Sequence, residues 1–145
     1  MAPLLVLAVV TGLTRLVGWL GDIAWLDSWP HATALGLAAM FALTASAHFT
    51  QPKRGALIAM VPPQLPNAAA MVTLTGVLEL AGAAGLLIPP FPRVAAACLF
   101  VLLLVMFPAN VRAYRAGTGV KTMPLPLRTV VQLVFLAACA LVVLG

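Results

Sequence analysis

Seven side chains in this chain could carry chemistry, and all seven lie inside or at the ends of apolar runs. Glu79 is the only acid within such a run, near the middle of Met71-Val-Thr-Leu-Thr-Gly-Val-Leu-Glu-Leu-Ala-Gly-Ala-Ala-Gly85. A carboxylate at the centre of a bilayer costs at least ~2.5–3.5 kcal/mol, so such a group turns inward and finds a proton, a cation or a ligand. On a helix it shares a face with Val72, Thr75, Gly76, Gly82 and Ala83, by three- and four-residue spacing. That face is small and weakly polar, which lets neighbouring helices come close. Two roles compete for Glu79: a structural tie between helices, and a proton acceptor or ligand contact in a central cavity.

The other candidates are read relative to Glu79. Arg15 lies about twelve residues into the first apolar run, and Glu79 about eleven into the third, so at 1.5 Å per residue they are expected at similar depth and could form an intramembrane Arg15–Glu79 pair. The competing reading has Arg15 reaching out to the interface and Asp22. His48 and Asn110 fall at one end of the second and fourth runs, and Gln132 about one turn into the fifth. These three are expected to line a shared vestibule. His48 and Glu79 are expected to differ in depth by roughly 7–13 Å, too far for direct contact. Pro108, lacking an amide hydrogen, should free the Leu104 carbonyl. Cys98 and Cys139 are expected at similar depth, so a redox pair is one reading and ordinary packing the other. There is no C-x-x-C motif, and no metal site is expected.

These groups must be positioned by helices. Of 145 residues, 63% are hydrophobic and only 8% charged, against about 25% charged in a soluble domain. Lipid is therefore the expected solvent. Five runs are each close to the ~20 residues that cross ~30 Å of hydrocarbon: about 3–21, 31–50, 68–88, 93–111 and 127–144. Runs of this length satisfy their backbone in lipid as helices. The expectation is one all-α integral membrane helical bundle over residues 1–145, with the first run retained as a helix rather than cleaved as a signal peptide. Residues 22–30, where Ile23, Leu26 and Trp29 fall near helical spacing, are expected to make an interfacial turn. Prolines at 62, 63, 66, 89, 90 and 92, then Gly117, Gly119, Pro124 and Pro126, mark the links. Met40, Met60, Met71, Met106 and Met123 form no ligand cluster.

The net charge is +5, but the basic residues cap apolar runs and make no basic helix face, so nucleic acid is not an expected partner. Lys53, Arg54, Arg112, Arg115, Lys121 and Arg128 fall on one side and Arg93 on the other. By the positive-inside rule the N-terminus is cytoplasmic and the C-terminus outside, in a multi-pass protein.

From about Leu35 onward the chain resembles the DoxX family of small bacterial membrane proteins. The landmarks are His48-Phe49, Met60-Val-Pro-Pro-Gln-Leu-Pro66, Gly76-Val-Leu-Glu79-Leu-Ala-Gly82, Arg93, Phe107-Pro-Ala-Asn110 and Gln132. The resemblance implies a four-helix core formed by the second to fifth runs, with the Arg15 helix as an addition. It also implies the bacterial inner membrane and association with redox enzymes. On that basis the expected function is an accessory subunit of a redox or quinone-linked membrane complex, with a small polar cavity around Glu79. A membrane oxidoreductase acting on quinone or thiol substrates, and a carrier or binder of a small amphipathic solute or lipid, are the alternatives. Quinone is the cofactor to consider. The expected partners are the bilayer and a redox protein at the cytoplasmic loops, with homo-oligomers left open.

Overall fold

A computed structural model describes residues 2–116 and 124–145. Gly117, Gly119, Lys121 and Met123 lie outside the described residues. Among those described there are six helices and no strands: α1 (Ala2–Leu20), α2 (Trp29–Ala47), α3 (Lys53–Met60), α4 (Ala68–Leu87), α5 (Pro92–Ala116) and α6 (Leu125–Leu144).

The helices α2, α4, α5 and α6 close into a ring, each packing on the next, with α6 returning to α2. The helix α1 packs chiefly against α2. The centre is filled by Leu37, Met40 and Phe41 of α2, Leu99 of α5 and Cys139 of α6, all fully buried. The outer surface is apolar as well. Leu5, Val9, Leu13, Val101, Val105 and Leu133 all point away from the bundle. Aliphatic side chains both inside and outside are consistent with a membrane protein.

Four helices, α1, α4, α5 and α6, are long and apolar enough to cross a membrane. The expected second span, α2, does not reach that standard although it has 19 residues. It opens on Trp29-Pro30-His31 and carries Thr33, Thr44 and Ser46. Nine of its residues are buried, against two in the equally long α1. A helix wrapped by α1, α3, α4 and α6 shows little of itself to lipid and needs fewer apolar residues.

The boundaries depart from expectation in three places. The helix α3 was not anticipated, because eight residues opening on Lys53-Arg54-Gly55 are too short for an apolar signal. The helix α2 starts at Trp29, shortening the expected interfacial segment. Before it, Ile23–Asp27 makes one helical turn, closed by the Asp27 amide on the Ile23 carbonyl at 2.9 Å. The helix α5 continues past Pro108 to Ala116.

Candidate functional site

The site begins with a close approach between α2 and α4. Gly76 faces His48 so tightly that an added Cβ would stand 2.6 Å from the His48 Cβ and 2.9 Å from the Phe49 ring. Hydrogen alone fits there, and that lets His48 pack directly against α4. His48 caps the C-terminus of α2, and its own amide bonds to the Ala45 carbonyl at 3.0 Å. Thr44, one turn earlier, shares its face.

His48 and Glu79 meet directly. Nε2 of His48 is 3.2 Å from Oε1 of Glu79, and both residues are only 4% exposed. The Thr44 hydroxyl donates to Oε2 of Glu79 at 2.7 Å. On the far side of the ring, His48 Nδ1 lies 2.9 Å from the Val72 carbonyl and 3.1 Å from the Thr75 hydroxyl. A backbone carbonyl only accepts, so Nδ1 carries the hydrogen. The contact between Nε2 and Oε1 then holds one proton, as imidazolium with carboxylate or as imidazole with carboxylic acid. Both arrangements are neutral overall, which makes the pair tolerable in a low-dielectric interior.

The direct contact corrects the expected 7–13 Å gap. Side chains on a helix tilt toward its N-terminus, so the Glu79 carboxyl reaches back about a turn toward Val72, while the imidazole spans the remainder. The Arg15–Glu79 pair is also corrected. Arg15 instead pairs with Asp27, and its guanidinium lies 4.5 Å over the Trp29 ring. Arg15 sits only five residues from the end of α1, and its long side chain extends past that end to a partner there. That partner is Asp27 rather than Asp22.

The cavity is offset from Glu79. A cavity of about 210 Å³ lies between α3, α4 and α5, lined by His48, Thr75, Asn110 and the apolar side chains of Leu57, Met60 and Met106. Glu79 and Gln132 do not line it, so the expected cavity around Glu79 is in fact one that Glu79 touches only through His48. The amide of Asn110 makes a long 3.5 Å contact to the Met106 carbonyl. Gln132 is spent elsewhere, donating to the Leu103 carbonyl at 2.8 Å and joining α6 to α5. That carbonyl lies one residue before the one Pro108 was expected to release.

Two arginines fix the cavity floor. Arg112 of α5 reaches the carbonyls of Ala59, Met60 and Val61 at 3.1–3.2 Å, capping the C-terminus of α3. Arg54 donates to the His48 carbonyl at the end of α2 and to the Thr73 hydroxyl at 3.0 Å. Neither role was foreseen for these residues, nor was that of Thr44. For Thr44 a signal existed, since it stands four residues before His48 on one helical face.

The two cysteines do not form a redox pair. Both are free; Cys98 is exposed and Cys139 fully buried. Cys98 opens onto an apolar groove of about 760 Å³ between α4 and α5, while Cys139 packs into the central core. Among the described residues no cluster of three or more His, Cys, Asp or Glu could hold a metal ion.

Compared with known proteins, residues 37–143 match a family described as a domain of unknown function (DUF8561). No curated protein matches the chain. No solved structure matches it either.

Proposed function

Since the chain belongs to the DUF8561 family, whose description assigns no activity, we propose a function from the site itself. The protein is a multi-pass inner-membrane protein of the DoxX type, serving as a non-catalytic accessory subunit of a redox or quinone-linked complex. It binds a small amphipathic ligand in the cavity beside His48. The observation that carries this reading is the buried His48–Glu79 pair, whose His48 lines a largely apolar cavity together with Thr75 and Asn110. Sites for drug-sized ligands occupy ~300–1,000 Å³. A cavity of about 210 Å³ suits a single ring or a short chain rather than a flavin or a haem. Its apolar walls suit a ring face, and the Asn110 amide suits a ring carbonyl.

The closed ring of α2, α4, α5 and α6 supports a four-helix core, with α1 as an addition packed on α2. The basic residues around α3 and the end of α5 support a cytoplasmic cavity mouth. One feature favours a second reading, a quinone or thiol oxidoreductase. The proton between Nε2 and Oε1 is transferable, and proton exchange is what such chemistry requires of its site.

The test is binding of a short-chain quinone to the purified protein in detergent, read by native mass spectrometry. Asn110→Leu should lose the ligand while the fold persists. If quinone is retained equally by the wild type and Asn110→Leu, the site is elsewhere. Turnover of a quinol by the protein alone, lost in Glu79→Gln, would favour the enzyme over the subunit.

A further inference from the structure

At the end of the bundle opposite His48 there is a second pocket that the reading above leaves without a role. It has a volume of about 380 Å³ and lies between the start of α2 and the start of α5, lined by Trp25, Ser28, His31 and Arg93, with prolines completing its walls. Proline fixes its own backbone and offers no amide hydrogen, so these walls are stiff and the pocket is preformed.

Three side chains in this pocket, Arg93, His31 and Ser28, can donate, and the Gly145 oxygen that also lines it accepts. Arg93 spends one N–H on the Gly145 backbone oxygen at 2.9 Å, and a guanidinium has five. The His31 ring is stacked on Trp25, with centroids 4.4 Å apart, and its Nδ1 is buried with no hydrogen-bond partner. Ser28 stands at the N-cap position of α2 but makes no side-chain capping bond. The first turn of α2 adds unpaired amide hydrogens and the positive end of its dipole. No carboxylate side chain lines the pocket. The neighbouring acid, Asp27, is neutralised by Arg15.

A buried nitrogen without a partner, on a residue that shares its pocket with a guanidinium and an unspent hydroxyl, marks a place where an acceptor belongs. We propose that this pocket is an oxyanion site, taking a phosphate or carboxylate group on Arg93, His31 and Ser28, with Trp25 as its aromatic wall. The pocket lies where α4 and α6 end, at the bundle's rim. The anion therefore comes either from a lipid head group or from solution.

Full-length protein in non-ionic detergent would be titrated with inorganic phosphate and, separately, with acetate, by calorimetry. In parallel, protein reconstituted with phosphatidylglycerol or with phosphatidylcholine would be examined for retained lipid by native mass spectrometry. Arg93→Gln and His31→Asn would be compared with Lys53→Gln, a basic residue at the opposite end. Loss of a charge-assisted contact weakens binding by about tenfold or more. Phosphate or acetate binding that falls by that factor in Arg93→Gln and His31→Asn identifies a dissolved anion. Phosphatidylglycerol retention that falls in the same two variants, without binding of free anion, identifies a lipid head group. Equal binding in the wild type and both variants, no binding of any probe, or a loss only in Lys53→Gln overturns the proposal. If Arg93→Gln does not fold, Arg93→Lys with His31→Asn decides the matter.

Discussion

The sharpest test of the site is the difference between two substitutions at Glu79. In Glu79→Gln the side chain keeps its length. Its amide oxygen can accept from Thr44, as Oε2 does at 2.7 Å. Its NH₂ can donate to Nε2 of a neutral His48, as the 3.2 Å contact allows. Every hydrogen bond survives, and only the transferable proton is lost. The expected cost is within about 1 kcal/mol. In Glu79→Ala the Thr44 hydroxyl falls back on the Phe41 carbonyl at 3.2 Å, but His48 Nε2 loses its partner in a site where His48 is 4% exposed. Breaking a buried pair from one side costs about 3–5 kcal/mol. The assay is unfolding of the purified protein in mixed micelles by titrated sodium dodecyl sulfate, followed by circular dichroism at neutral pH. A gap of about 2 kcal/mol or more between the variants is expected. The double variant Glu79→Ala with His48→Ala should cost clearly less than the sum of the singles. Equal losses for Gln and Ala, or additive singles, would refute the argument that one proton and two hydrogen bonds hold this carboxyl.

Three further outcomes follow from the same geometry. Gly76→Ala places a methyl 2.6 Å from the His48 Cβ, so it should cost about 1–3 kcal/mol by overpacking and shift the His48 ring resonances in NMR. Arg112→Ala removes the cap from α3, and hydrogen exchange over Lys53–Met60 should accelerate about tenfold or more, with α6 unchanged. A lipid-soluble maleimide should label Cys98 and leave Cys139 unlabelled until the bundle is denatured, because one thiol is exposed and the other packed at the centre.

Much of the helical layout was legible because long apolar runs admit one backbone solution in lipid. The inward face of Glu79 was legible too, since Val72, Gly76 and Ala83 recur at helical spacing and are buried with it. Contacts between elements were not. Counting rise along the axis separated His48 from Glu79, because such a count ignores how side chains lean. The same count placed Arg15 beside Glu79, whereas a nearer acid beyond the helix end claims it. Gln132 has the polarity of a site residue but serves to bind α6 to α5. The helix α3 escaped notice because its composition is balanced and its length slight. Its importance comes from what its end carbonyls touch.

Eight residues rarely hold a helical shape unaided, and α3 has eight. Its persistence therefore depends on the latch supplied by Arg112, which is two positions from Asn110 on the same helix. One short stretch of α5 therefore supplies both a polar group of the cavity wall and the anchor of the helix that closes it.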